Sequence, residues 1–429
     1  MLRPAASLAL ALALVLPACA GTHDEHPIRL GLLHSLTGPY AFSEKRLIDA
    51  EILAVEEINV QGGILGRRIE PVIADGQSDS ATFARQAERL ITAQKVSAIV
   101  GSAASSDRRT VLPVVERHGS VLLYTSAYEG LEHSPNLIST GGTANQQTIP
   151  ALRWFLDNRG KDFFLVGSDD VWAHAENAII KDQLARLDGR VVGEEYLPLD
   201  VHDATSVVAK IAAAEPDVIV NSLSHGIVGF FQKLRAAGVD PHRVPTFSLA
   251  VGEDLLRSLR PEEVAGSFAA WPYFESQDTP ANRAFTAQFK ARYGAHRHTD
   301  DQIHNAYVAV RLWAQAVEAA GTPAPASVLA AARHQSMDAP GGRVWVDEEN
   351  RHLWRTVRIG RIRPDRQFDI VWTSEVAIRP QPYPVFRTRR EWLDMLHALY
   401  TAWGNRWFRP LCGASGPRNT ERDRACAGP

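Results

Sequence analysis

From residue 28 onward the chain alternates two patterns. Short unbroken apolar runs are followed by longer stretches in which apolar residues recur every three or four positions. IRLGLLHSL predicts a strand ended by Thr37-Gly38-Pro39, and EKRLIDAEILAVEEIN predicts a helix with Leu47, Ile48, Ile52, Val55 and Ile58 on its inner face. Gly62-Gly63 and Gly66 stop that helix. RIEPVIADG, VSAIVGS and VLLYTSA read as further strands, and ATFARQAERLITAQ and SDRRTVLPVVERHG as the helices between them.

The alternation restarts after the polar segment GGTANQQ. Helices are predicted over IPALRWFLDNRG, ENAIIKDQLARLDG, DATSVVAKIAAAEP (with Asp203 as its N-cap) and VGFFQKLRAAG. Strands are predicted over DFFLVGSD, VVGEEYLPLD, DVIVNSL and VPTFSLA. GSFAAWPYFESQDTP then breaks the rhythm. Two more helices, ANRAFTAQFKARYG and DQIHNAYVAVRLWAQAVEAAG, come too late for the second block and are assigned back to the first. GGRVWVD, LWRTVRIGRI and FDIVWTS read as a closing meander. Val/Ile/Leu runs joined by amphipathic helices are the pattern of parallel sheets covered on both faces. The fold class is therefore α/β, with two doubly wound lobes and several crossings forming a hinge. The cleft at the carboxyl ends of the strands is the default ligand site.

Composition sharpens this in places. A length of 429 residues suits two or three lobes, and 45% hydrophobic with 22% charged residues is ordinary for a globular chain. A net charge of −3 without a long basic run gives no reason to expect nucleic acid. MLRPAASLALALALVLPAC has one positive charge, a short apolar stretch and a small-residue site, the layout of a secretory signal over residues 1–18. Leu16-Pro17-Ala18-Cys19 is similar to a bacterial lipobox, which would make Cys19 a lipidated first residue and the protein a membrane-anchored periplasmic lipoprotein. Plain cleavage after Ala18 or Ala20 is the alternative. Cys412 and Cys426 either close a loop in an oxidising compartment, worth about 3 kcal/mol, or remain free thiols. The 15 histidines are scattered, His296 and His298 read as surface residues, and no metal site is expected.

Catalytic signatures are absent. HSLTGPY follows the first strand where a dinucleotide site would carry G-x-G-x-x-G, and no P-loop, G-x-S-x-G or H-E-x-x-H occurs. No cofactor is expected, and binding is favoured over catalysis. The candidate chemistry lies in strand-to-helix loops. Gly101 to Asp107 offers backbone N–H groups and the Ser105 and Ser106 hydroxyls to a carbonyl or carboxylate; alternatively these serines only cap the helix. Tyr124-Thr125-Ser126-Ala127-Tyr128 offers two phenols and two hydroxyls, although Tyr124 is equally readable as a core aromatic.

These segments together are specific. GLLHSLTG, AVEEINVQGGILGRRIEPVIADGQSD, RRTVLPVVERHG, YEGLEHSPN, TANQQTIPAL, FFLVGSD, VVGEEYLPL, AWPYFESQDTP and WTSEVAIRPQPY occur in order. With them the chain resembles the urea- and short-chain-amide-binding branch of the type I periplasmic solute-binding proteins of ABC importers, from about residue 28 to 384. The resemblance implies two Rossmann-like lobes, here 28–142 with 272–340 and 143–271 with 341–380. These would close on a small polar ligand (urea, a short amide, or a related amine or amino compound) and deliver it to a membrane permease. A ligand-sensing subunit of an amide-responsive system is the alternative. The family serine after the third strand falls on Ser105, the tyrosine after the fourth on Tyr124, and the hydroxyl two residues on at Ser126. The family's second-lobe Tyr-x-Tyr after GSD falls on Asp170 and Trp172.

Asp170 is thus a carboxylate where the family carries a phenol. A phenol donates to a carbonyl, whereas an ionised carboxylate only accepts. Ala103 and Ala104 also replace bulkier residues. Together these imply a ligand larger than urea, with N–H donors or a cationic amine aimed at Asp170; alternatively Asp170 turns to solvent. Asp169 is assigned to capping the helix that follows. Residues 381–429 extend past the family end, with Leu393, Leu396, Leu399 and Tyr400 on one helical face beside Trp392 and Trp403. This extension docks on its own second lobe, on a partner, or on a membrane surface.

Overall fold

In the computed structural model, which describes residues 26–199 and 203–410, the apolar runs pair into two large sheets, one per lobe, and a small third sheet. The first lobe begins with β1 (Ile28–His34), α1 (Ala41–Val60), β2 (Ile69–Asp75), α2 (Ser80–Thr92), β3 (Ala98–Gly101), α3 (Ser105–Arg117), β4 (Leu122–Tyr124) and β5 (Leu137–Ser139). All five strands are parallel, in the order β2-β1-β3-β4-β5. Their residues are apolar on both faces because helices cover both: α1 packs on one side, α2 and α3 on the other. Three-residue β5 is too short to carry a readable period.

The second lobe runs α4 (Thr148–Asn158), β6 (Asp162–Ser168), α5 (Val171–Arg186), β7 (Arg190–Leu197), α6 (Thr205–Ala214), β8 (Val218–Ser222), α7 (Ile227–Ala236), β9 (Thr246–Ser248), α8 (Glu253–Leu256), α9 (Pro261–Val264) and β10 (Phe268–Trp271). β10 lies inside the segment expected to break the rhythm. It pairs parallel with β9 and is fully buried, and its neighbours Pro272 and Gly266 hide it from a periodicity reading. Asp203 does not cap α6 from the N-cap position, which Ala204 occupies. Its carboxylate instead accepts from the Thr205 amide and hydroxyl, an Asx-type turn one residue earlier.

α10 (Pro280–Tyr293) and α11 (Asp301–Ala320) return to the first lobe as expected, with α11 lying along α1, and α12 (Pro325–Ala332) follows. The closing meander is divided between the lobes. β11 (Ser336–Ala339), β12 (Gly342–Val346) and β13 (Leu353–Trp354) form a separate antiparallel sheet. That sheet shares the first-lobe core through Ala339, Val344, Val346 and Leu353. β14 (Arg358–Ile362) and β15 (Phe368–Thr373) extend the second sheet antiparallel to β10, burying Ile359 and Ile362 there. The chain therefore re-enters the second sheet at β14 rather than at residue 341.

The extension forms α13 (Arg389–Ala402), opened by a capping box between Thr388 and Glu391. Its inner face carries Trp392 and Leu396. With Trp403 they pack on Val171, Ala175, Ala178 and Ile179 of α5 and on Leu131. Arg387 grips Asp182 of α5 through two bonds of 2.6 and 2.9 Å. Of the three surfaces considered for the extension, it takes its own second lobe. No helix among the described residues is long and apolar enough to cross a membrane. Residues 1–18, Cys19, Cys412 and Cys426 lie outside the described residues.

Candidate functional site

The carboxyl ends of β3 and β4 in one lobe and of β6, β8 and β9 in the other face each other across a cavity of about 660 Å³. Each strand stops and its backbone turns into a helix, so the connecting residues are the ones left facing the gap. Gly101 marks how tight one of these turns is. Its φ is +134°, and a Cβ there would sit 2.0 Å from the Leu33 carbonyl oxygen. All six residues singled out from the sequence, Ser105, Ser106, Tyr124, Ser126, Asp170 and Trp172, line this one cavity.

Their chemistry differs from the expectation in detail. Ser105 is the first residue of α3, after the N-cap Ala104, so it is not the cap. Its hydroxyl donates to Glu129 at 2.6 Å and accepts from Arg108 at 3.1 Å. Arg108 and Arg109 both hold Glu129, at 3.0 and 3.1 Å; Arg108 and Glu129 are fully buried and Arg109 partly so. Burial alone would raise the Glu129 carboxyl, but the two guanidiniums and the Ser105 hydroxyl outweigh burial and hold it below the ordinary range. The Ser105 hydroxyl is thereby committed to the protein. What it leaves for a ligand is the start of the helix, where the Ser105 and Ser106 N–H groups have no acceptor within α3. The Ser106 hydroxyl leans towards Asp107 at 3.5 Å. Burial and nearby Glu44 push the Asp107 carboxyl up to about 7.

Tyr124 is a core aromatic that also lines the cavity. It is fully buried among the first-lobe apolar residues, donates to the Ala103 carbonyl at 2.8 Å, and presents one edge to the cavity. Ser126 is buried and its hydroxyl has no protein partner. The indole N–H of Trp172, on the opposite lobe, is also buried and unpartnered. Both residues line the cavity, and both of these buried polar atoms lack a partner within the protein.

The capping role expected of Asp169 falls to Asp170, which also lines the cavity. Asp170, not Asp169, is the N-cap of α5, its Oδ1 accepting from the Ala173 amide at 2.9 Å. The other oxygen accepts from Ser224 at 2.8 Å. Asp169 points away from the cavity to His174, at 2.8 Å. Asp170 is 6% exposed, so the solvent-facing alternative does not hold. Burial raises its carboxyl from 3.8 to about 6, against the opposing effects of the Ala173 amide and Ser224.

Several lining residues escaped the sequence reading. Tyr40 and Glu44 follow β1, Ser224 to Ile227 follow β8, and Leu249 and Ala250 follow β9. The rule that found the others, strand exits facing a cleft, also covers these. The Tyr40 and His225 rings meet across the cleft with centroids 4.4 Å apart. Arg46 on α1 pairs with Asp300 and lies 3.9 Å from Asp254 of the second lobe. These cross-cleft contacts describe a closed arrangement. His298, expected at the surface, is partly exposed and binds Glu275 at 2.9 Å. Among the described residues no cluster of His, Cys, Asp and Glu is arranged to hold a metal.

Residues 28–389 match the family model of the periplasmic binding protein domain. The chain belongs to this family. Among relatives, this periplasmic binding protein is 25% identical over 335 residues to the leucine-, isoleucine-, valine-, threonine- and alanine-binding protein of Pseudomonas aeruginosa, covering 75% of this chain and 86% of that one. A solved solute-binding protein of an ABC transporter from Rhodopseudomonas palustris, in complex with 3,4-dihydroxybenzoic acid, superposes with a TM-score of 0.76. It is 20% identical and covers 82% of this chain and 99% of that one. An isoleucine-bound branched-chain amino acid transporter substrate-binding protein from Streptococcus pneumoniae superposes at 0.73, 20% identical, covering 83% and 100%. The two-lobed α/β fold is therefore the one expected. A limonene hydroxylase of Geobacillus stearothermophilus is 34% identical over 118 residues only, 28% of this chain and 22% of that protein, and carries no activity over to this periplasmic binding protein. The urea and short-chain-amide branch rests on the sequence motifs alone.

Proposed function

We propose that the protein is an exported, periplasmic solute-binding protein of an ABC importer. It captures a small amino compound between its lobes and hands it to a membrane permease. The family supports binding in a cleft that closes, since a ligand touching both lobes favours the closed form by its differential affinity. The relatives are named for branched-chain amino acids and for hydroxylated benzoic acids. Among the ligands expected from the sequence, the amino compounds fit best. Urea, about the size of two waters of ~30 Å³ each, would leave most of the cavity unfilled.

One observation carries this reading. Asp170 is a buried carboxylate at the cleft wall, and no lysine or arginine of the described residues forms an ion pair with it. A buried charge is costly unless paired, and an ammonium group on a ligand would supply the pair. At the other end, the Ser105 and Ser106 amides and the Ser126 hydroxyl suit the carboxylate or carbonyl of the same molecule. Between the ends, Tyr40, Phe42, Trp172, Ile227 and Leu249 offer an apolar and aromatic waist.

The test is calorimetry on purified protein with leucine-like amino acids, apolar monoamines, short amides, urea and hydroxybenzoates. Compounds with an ammonium group are expected to bind, and their amine-free analogues to bind at least tenfold more weakly. Binding confined to urea or to the benzoates overturns the amino-compound reading.

A further inference from the structure

The family match ends at residue 389, where α13 begins, yet the chain beyond it reaches the wall of the cleft. Trp407, Phe408 and Arg409 run antiparallel to Asp169, Asp170 and Val171. The Val171 amide donates to the Trp407 carbonyl at 2.9 Å, and the Arg409 amide donates to the Asp169 carbonyl at 2.9 Å. Asp170 is thus bracketed on both sides by backbone hydrogen bonds to the extension. Val171 N is the first amide of α5, which has no acceptor inside its own helix. The Trp407 carbonyl takes it, while Asp170 itself takes the Ala173 amide.

The same segment reaches the other lobe. The Arg109 guanidinium of α3 lies 5.1 Å from the centre of the Trp407 ring. Arg109 also binds Glu129, which receives the Ser105 hydroxyl at the start of α3. A chain of contacts therefore runs from Asp170 through the extension to Arg109, Glu129 and Ser105, joining the two ends of the cavity.

We propose that the C-terminal extension is a positioning and specificity element of the ligand site: residues 407–409 hold the Asp170 carboxylate in place and consume the amide of α5 that would otherwise attract an anion. A free helix start favours negative groups. With that amide occupied, the Asp170 carboxylate is the charged group at the second-lobe end of the cavity, and it selects a cationic or N–H-bearing ligand. Through Trp407 and Arg109 the element also adds a contact between the lobes in the closed arrangement. The specificity part rests on the amino-compound reading; the hold on residues 169–171 does not.

Two variants leave every cavity-lining residue intact. Arg409→Pro removes the amide that donates to Asp169, and Trp407→Ala removes the ring beneath Arg109. Affinity for the tightest-binding amino compound of the panel is expected to fall roughly fivefold in Arg409→Pro, the equivalent of one net backbone hydrogen bond. A fall of about two- to fivefold is expected in Trp407→Ala. In an Asp170→Asn background neither is expected to weaken binding by more than about twofold, because coupled residues are non-additive. In the ligand-free protein, hydrogen exchange at the Val171 and Ala173 amides is expected to speed roughly fivefold in Arg409→Pro. Unchanged exchange in both variants overturns the proposal. So does faster exchange with unchanged affinity, since that describes a merely structural role, and so does full additivity with Asp170→Asn. A wild-type chain that binds no amine overturns the ligand reading and with it the specificity part; the exchange result alone then decides whether the extension holds Asp170.

Discussion

Replacing Asp170 by asparagine separates its two roles, because the exchange is nearly isosteric. Asparagine caps helices about as well as aspartate. Its Oδ1 can still accept from the Ala173 amide, and its Nδ2 can donate to Ser224, which at present donates to Asp170. Only the charge is lost. In the free protein, burial raises the carboxyl from 3.8 to about 6. Each pKa unit is worth about 1.4 kcal/mol, so the ionised folded form carries a penalty of about 3 kcal/mol relative to the unfolded chain. The folded state binds more protons between those two values. Stability therefore falls as pH rises through pH 4 to 6, and the penalty is complete above 6. Asparagine has no such penalty but gives up the favourable charge at the start of α5, worth about 0.3–1 kcal/mol. Asp170→Asn should accordingly be more stable than wild type by about 2 kcal/mol at pH 7.5, with the gap closing towards pH 4. Its affinity for an ammonium ligand should drop by about 1.5–3 kcal/mol, roughly ten- to 150-fold, the worth of a charged hydrogen bond. Urea titrations at pH 4.5 and 7.5 measure the first effect, and calorimetry the second. A variant that is less stable at pH 7.5 and binds as tightly as wild type would reduce Asp170 to a helix cap and refute the reasoning.

Three further outcomes follow from the same geometry. Affinity for an amine ligand should decline about tenfold per pH unit below 6 as Asp170 takes up a proton, and a profile flat from pH 5 to 8 in calorimetry would contradict this. Arg108→Met should cost about 3–5 kcal/mol in denaturant unfolding, because Glu129 stays buried after losing a partner at 3.0 Å, whereas a loss below about 1 kcal/mol would mean that the cluster is solvated. Tyr40→Ala should weaken binding about two- to tenfold by removing the cross-cleft ring contact with His225, and should enlarge the ligand-free radius in small-angle scattering.

Much of the site was legible because one local rule, the exit of a buried strand into a helix, places residues at a cleft in any doubly wound sheet. That rule reached Ser105, Ser106, Tyr124 and Ser126, the family resemblance added Asp170 and Trp172, and the rule applied to β1, β8 and β9 would have reached Tyr40, His225 and Leu249 as well. Their individual duties were not legible. The Ser105 hydroxyl is committed to Glu129, a residue 24 positions away that no spacing around Ser105 announces. Asp169 and Asp170 are adjacent carboxylates, and which of them caps α5 depends on how the turn leaves β6.

By itself the chain's pattern determined most of the strands and helices, the presence of two α/β lobes and the location of the cleft. These follow from periodic burial and from backbone hydrogen bonding between near neighbours, which are properties of short segments. Tertiary structure alone decided that β10 joins the second sheet and that the closing strands divide between the lobes. It alone decided that the extension returns over 200 residues to bracket Asp170. Those outcomes depend on which distant surface a segment can bury itself against, and that surface exists only once the rest of the chain has folded.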